Sequence, residues 1–359
     1  MVAVLVGAQA ITGNTKTEKK GNIVRYLPGV IAATLLGAGT AWAAETLSAA
    51  EMRQNLLSSC FVDRNVGWVV ADLGRVFHTV DGAKTWEVLK PSQDQISFVA
   101  VACPDKDHLW AAGQAGRIGY SSDGGRTWAM QTSGTARQLL DIAFVNPQRG
   151  VTVGDFGTIL RTDDGGTTWT KIPMPRETKL PPDVAETVDP GDVVLYALAF
   201  PTPEHIWAVG EFGVILQSTD GGLTWRPQDS PVEMSLFGVH FADEQRGWAV
   251  GLESTLIATT DGGATWRKHE IETPRGFSLA LYDVGVRGSD GWAVGNNGLL
   301  LHSQDAGTTW QLVKVPVKMG SSWFRGLSLF ADGRGFIVGS QGLVLATDHD
   351  AFTPLKQQY

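Results

Sequence analysis

An eight-residue phrase returns along the chain at nearly regular steps. Residues 121–128 read SSDGGRTW, 162–169 read TDDGGTTW and 218–225 read STDGGLTW. The tryptophans that close the phrase are Trp86, Trp128, Trp169, Trp225, Trp266 and Trp310, spaced 41–44 residues apart except for one step of 56. Each phrase ends a longer unit, such as IWAVGEFGVILQSTDGGLTW from Ile206. Corresponding units start at Gly67, Leu109, Gly150, Gly247 and Gly291, and a seventh from Gly335 keeps the pattern but loses the phrase. Repetition at this period marks a repeat fold, in which each unit buries its apolar face only against its neighbours.

Within a unit the apolar runs are short and bounded by Gly and Asp. An alternating stretch such as LFGVHFAD at 236–243 comes first, then WAVG, a tight turn, a second apolar stretch, the phrase, and a strand beginning at the Trp. Runs of this length with these punctuators are strands, and no stretch carries a helical period with caps. Four strands per unit and about 45 residues per unit predict a seven-bladed, all-β propeller of four-stranded antiparallel blades over residues 44–359. The phrase falls between the third and fourth strands.

The phrase reads as a folding device. Asp81, Asp123, Asp164, Asp220, Asp261 and Asp305 are placed to accept loop N–H groups in an Asx-type turn. The Gly pair supplies backbone with positive φ, and the Thr bonds back across the hairpin. The Trp packs between sheets. A calcium loop needs alternating oxygen ligands ending in Glu, and none is present.

Residues 1–43 read as an N-terminal extension and secretory signal. Lys16, Lys19, Lys20 and Arg25 precede the apolar LPGVIAATLLGAGT at 27–40, and Ala41-Trp42-Ala43 gives a small-x-small cleavage pattern. An uncleaved anchor is the alternative, although the apolar run is short for a membrane span. Export predicts a periplasm or a lumen-like compartment. There Cys60 and Cys103 either pair or remain buried thiols, since both stand in apolar strand-like stretches. The formal charge of −8 argues against nucleic-acid binding, which needs a basic footprint.

The phrase is the Asp-box, or bacterial neuraminidase repeat, of sialidases and related propellers. The fuller unit GWAVGxxGxIxxTxDGGxTW resembles the photosystem II stability and assembly factor family of cyanobacteria and chloroplasts and its bacterial relatives, from about Leu56 to the end. The resemblance implies an exported propeller without enzymatic activity that binds a membrane-protein assembly intermediate, with no cofactor, no metal and a monomeric state. It departs from the pattern at Ala83, Ala306 and the decayed seventh unit. The alternative is a secreted glycan-binding protein or glycoside hydrolase of the sialidase-like type. That chemistry needs an arginine cluster, a Tyr nucleophile with a carboxylate partner and an acid/base. No motif here places these. The seven histidines are scattered without ligand spacing, and no G-x-S-x-G occurs.

A partner is expected on the face formed by the turns between strands two and three, which carries Asp72, Gln114, Asp155, Glu211, Glu253, Asn296, Asn297 and Gln341. Inner strands begin near Tyr196, Phe237, Tyr282 and Arg325, residue types that protein hot spots favour but that also simply fill propeller channels. Arg75, Arg117 and Arg161 are read as one equivalent position just after the turn in three consecutive blades. There they would form a basic patch for acidic loops, an arrangement the resemblance also implies. Separately paired surface arginines are the plainer alternative. The fourth unit carries a Pro-rich, charged insertion at 175–192, expected to be mobile and either functional or tolerated surface length.

Overall fold

Each repeat folds where its alternation ends. In the second unit the strands Phe98–Ala102, Leu109–Gly113, Ile118–Ser121 and Ala129–Gln131 pair in sequence order, all antiparallel. The computed structural model describes residues 46–48, 51–92, 95–272, 279–315, 322–349 and 351–355. Among them stand seven such sheets, one per repeat, and the first strands of neighbouring sheets lie side by side in a closed ring. The protein is a seven-bladed β-propeller, as the repeats predict. The expected leader at 1–43 lies outside the described residues.

Among the described residues no strand is shared between blades. Blade 7 is built from the last repeat alone, and the extra strand Thr46–Ser48 adds to the outside of blade 1 by pairing with Thr85–Leu89. Ring closure therefore rests on side chains and loop contacts. Phe61 of blade 1 stacks on Phe336 of blade 7 at 4.6 Å, and Gly342 N donates to Gln54 O at 2.6 Å. Arg64 pairs with Asp332 across the same seam.

The core is a series of interblade layers rather than a central mass. The second strand of every blade is buried along its whole length, as in Trp68–Ala71 and Ile206–Gly210. Its residues face the sheets on both sides, which is why the WAVG segments are apolar throughout rather than alternating. One departure from a helix-free reading is the four-residue helix Pro182–Ala185 within the 175–192 segment. That segment lies on the flank of blade 4. Leu180 and Val188 pack on the cluster of Val193, Val214 and Trp225, and Lys179 bonds Asp229 at 2.6 Å.

Cys60 and Cys103 form a disulfide, with Cα atoms 5.9 Å apart. It ties the ends of the inner strands of blades 1 and 2, beside the seam where the chain's first and last blades meet. The bridge closes a span of 43 residues. Loop closure of that size stabilises the fold by about 2–4 kcal/mol. The Cys60→Ser/Cys103→Ser variant is predicted to lose that amount in urea titration. An unchanged midpoint contradicts the assignment.

Candidate functional site

The Asp-boxes close on themselves. In the second box Asp123 Oδ1 accepts from Ser121 Oγ at 2.8 Å and from Thr127 N at 2.8 Å, while Oδ2 accepts from Thr127 Oγ1 at 2.7 Å. Gly125 N donates to Ser121 Oγ at 2.8 Å, and Trp128 Nε1 donates to Gly125 O at 2.7 Å. The same carboxylate bonds recur around Asp81, Asp164, Asp220, Asp261 and Asp305. Bonds from Thr265 and Thr309 hold Asp261 and Asp305 down at about 2. Gly124 and Gly125 take φ of 74° and 90°, and Ala83 and Ala306 are forced into the same left-handed region at 64° and 57°. In the seventh repeat His349 stands where the box Asp would be, and among the described residues the buried Thr347 Oγ1 has no partner. The carboxylates thus spend their acceptor capacity inside the turn, which explains their recurrence without any reaction.

A second bond links four of the boxes to the blade before them. Trp68 Nε1 donates to Gly124 O at 3.1 Å, Trp110 Nε1 to Gly165 O at 3.1 Å, and Trp248 Nε1 to Gly307 O at 3.0 Å. Blade 3 has Val151 at this strand-two position. Arg161, paired in register with Val151, supplies the missing donor: its Nε reaches Gly221 O at 2.6 Å, and its other nitrogens grip Asp163.

This corrects the reading of Arg161. The turn ends one residue before Arg75 and Arg117, and the corresponding residue of blade 3 is Thr158, so Arg161 lies three residues further along the strand. It is 7% exposed and lies between blades 3 and 4, toward the box side. Arg75 and Arg117 do follow the turns, at the edge of the opposite face. A third guanidinium on that face is one the sequence did not single out. Arg137, in the connection from blade 2 to blade 3, sits 3.7 Å over the ring of Phe156.

Every turn between strands two and three puts its middle residue in the left-handed region, with φ between 50° and 60°. These residues are Leu73, Ala115, Phe156, Phe212, Glu253, Asn297 and Gln341. Glycine or Asn suits that conformation, whereas bulky residues there are strained. The first four blades nevertheless present Leu, Ala, Phe and Phe. Leu73 is 53% and Phe156 45% exposed. The expected polar ring is therefore only part of the face: the arc over blades 1–3 is tipped with exposed apolar side chains beside Arg75, Arg117 and Arg137, while Phe212 packs on the core of blade 4.

At the centre of this face the inner strands share one irregularity. Each carries a bulge at its second residue, and the extra residue is Leu57, Val99, Leu140, Tyr196, Phe237, Tyr282 or Arg325 in blade order. A bulge re-aims its side chain, and all seven line one cavity of about 130 Å³ at the channel mouth. Tyr196, Phe237, Tyr282 and Arg325, which the sequence places at the start of inner strands, all lie in this lining. Tyr196 meets Phe237 edge-on at 4.9 Å, and Phe237 meets Tyr282 at 5.8 Å. Burial, then Glu211 and Asp155, push the Tyr196 phenol up to about 12. Enclosure lowers the Arg325 pKa, although its tip keeps accessible surface in the channel.

Sequence reasoning did not single out the two carboxyls behind these residues. Asp141 Oδ2 accepts from Leu198 N of blade 4 at 2.7 Å, and Asp283 Oδ2 accepts from Leu327 N of blade 7 at 2.9 Å. Their remaining oxygens accept from Ile142 N and Val284 N. Burial pushes both up to about 7 against those bonds. The folded state thus keeps a proton that the unfolded chain releases near pH 4, so each carboxyl lowers stability as pH rises from about 4 to about 7. His240 works in the opposite sense below about 6.5, because burial, then Arg287, hold it at about 3. Comparison with Asp141→Asn/Asp283→Asn separates the two effects. Between pH 5 and pH 7 the wild type is predicted to lose stability relative to that variant, by at most about 1.4 kcal/mol per carboxyl per pH unit. Parallel urea-derived stability curves contradict it.

Among the described residues no group of three or more His, Cys, Asp or Glu is arranged to hold a metal, and no helix is long and apolar enough to cross a membrane. The fold is similar to a solved structure titled "YCF48 bound to D1 peptide", at 24% identity and TM-score 0.66, covering 85% of this chain and 95% of that one. It is also similar to the GH74 xyloglucanase of Xanthomonas campestris, at 16% identity and TM-score 0.63, covering 85% of this chain and 53% of the enzyme. At these identities both show the fold alone. A curated relative, the photosystem II assembly lipoprotein Ycf48 of a Picosynechococcus species, is 25% identical over 45% of each chain. The chain spans less than half the length of the curated relatives it matches. The family model described as photosynthesis system II assembly factor YCF48 matches residues 128–226 and 224–322, together more than half of the chain. The chain belongs to the photosynthesis system II assembly factor YCF48 family.

Proposed function

We propose that this protein is a non-enzymatic, exported accessory factor that holds an assembly intermediate of a membrane protein complex against its turn face. One observation carries the reading most directly. The box face repeats the same self-satisfied turns, whereas the turn face differs from blade to blade, with strained, exposed apolar tips on blades 1–3 beside Arg75, Arg117 and Arg137. Strain kept at exposed positions is a mark of function, and apolar side chains with arginines are what protein hot spots use.

Family membership supports the same reading, as does the relative whose solved form holds a D1 peptide. By this reading the partner is a subunit of photosystem II in a photosynthetic host, or of another membrane complex elsewhere. The lipoprotein naming of the relatives supports export and membrane association. We assign the protein to a periplasm or a thylakoid-lumen-like compartment, acting as a monomer without a cofactor.

The channel geometry weighs against a glycosidase. Its mouth offers about 130 Å³, whereas small-molecule sites run from roughly 300 Å³ upward. The two carboxyls there are occupied with backbone N–H groups of adjacent blades.

The test is capture of membrane proteins by the tagged protein from detergent-solubilised membranes of its own host, read by mass spectrometry. One membrane protein recovered in stoichiometric amount is expected, with recovery falling about tenfold or more for Arg75→Glu/Arg117→Glu, since each buried charged contact is worth about 2 kcal/mol or more. A blank recovery, together with turnover of a sialoside or glucan by the same protein, overturns the reading.

A further inference from the structure

The ring of bulges makes the channel mouth a built socket rather than a gap between strands. Bulges disrupt the ladder, and here all seven blades accept one at the same position and so aim one side chain each at a common centre. A channel that needed only filling would be served by aliphatic residues throughout. Blades 1–3 do supply Leu and Val, but blades 4–6 supply Tyr196, Phe237 and Tyr282, and blade 7 supplies Arg325.

Arg325 is the anomaly. Its side chain is exposed to the channel, and among the described residues its guanidinium makes no ion pair. Its nearest electrostatic neighbours are the phenols of Tyr282 and Tyr196. Arg161 and Arg334, by comparison, both grip carboxylates. A guanidinium open to the channel, with no hydrogen bond to the described residues and aromatic walls beside it, is arranged for an incoming planar anion. Asp141 and Asp283, also in the lining, do not meet that need. Each turns its oxygens to backbone N–H groups, and burial holds a proton on each up to about neutral pH. The cavity admits one side chain or chain end and no more.

We infer that the channel mouth is a socket for a single carboxylate of the partner, an acidic side chain or a C-terminus, which Arg325 binds while the rings of Tyr196, Phe237 and Tyr282 enclose its stem. This rests on the reading that the turn face holds a protein partner, and it names the chemistry recognised at its centre.

Three blocked tripeptides test it by saturation-transfer NMR titration at neutral pH. N-acetyl-Ala-Glu-Ala-amide offers a side-chain carboxylate, N-acetyl-Ala-Ala-Ala free acid offers a terminal one, and N-acetyl-Ala-Gln-Ala-amide offers neither. At least one acid is expected to bind about tenfold tighter than the glutamine peptide, as one charge-assisted hydrogen-bonded pair gives. Which acid binds identifies the source of the carboxylate. In Arg325→Gln that preference should vanish, and in Arg75→Gln it should remain. Equal binding of all three peptides, no binding of any, or a preference that survives Arg325→Gln overturns the socket. Membrane-protein capture by the wild type keeps the broader reading alive in any of those cases, and its absence sinks that reading independently.

Discussion

The fold depends on one bond made at four blade interfaces: a donor on the second or third strand of one blade reaching the carbonyl of the next blade's Asp-box. Trp68, Trp110 and Trp248 make it through the indole N–H, and Arg161 makes it through Nε. A propeller blade is a small twisted sheet with little core of its own, so its stability comes from contact with its neighbours. The box needs its Asp, Gly and Thr to present a carbonyl at a fixed place. The indole then brings both a large apolar surface and a donor to that place.

Exceptions to the bond show what it requires. Blade 3 carries Val151 in place of Trp, and Arg161 restores the donor from the adjacent strand. Blade 6 keeps Trp292, but the box it would reach in blade 7 has decayed, and the indole N–H is left without a partner among the described residues. His349, standing at the lost Asp position, instead bonds Asp290 of blade 6 at 3.1 Å. Blade 7 has Phe336, which carries no donor, and the seam to blade 1 is closed by aromatic stacking and loop bonds, with the Cys60–Cys103 bridge holding blade 1 to blade 2 next door. The bond therefore joins blades 1 to 2, 2 to 3, 3 to 4 and 5 to 6, and the contacts around blade 7 are individual ones.

Much of this was legible in the letters. Strand number, blade number and the self-contained chemistry of Asp123 or Asp220 followed from period and residue type, because a hydrogen-bonded turn of four side chains has few other solutions. The place of Tyr196, Phe237, Tyr282 and Arg325 at the start of inner strands also followed, from their common distance before WAVG. The bulge that aims them did not, since an extra residue shows only in strand register. Asp141 and Asp283 read as ordinary strand polars until the next blade's N–H groups were located. Arg161 was misplaced because identity of residue type outweighed a three-residue offset, and in a strand that offset carries a side chain to a different row and face. The partly apolar turn face was open to inspection in Leu73 and Phe156. Their importance appears only once the left-handed backbone shows what keeping them costs.

The account separates residues that hold blades together from residues that face a partner, and Arg161 is where the separation is sharpest. The most direct measurement is the unfolding free energy of Arg161→Met beside that of Arg75→Met. Removing the Arg161 donor strands a buried carbonyl and is predicted to lower stability by about 1–3 kcal/mol. Arg75→Met, at the edge of the turn face, should stay within about 0.5 kcal/mol of the wild type. Equal and negligible losses would contradict the interblade bond as the organising interaction of this propeller.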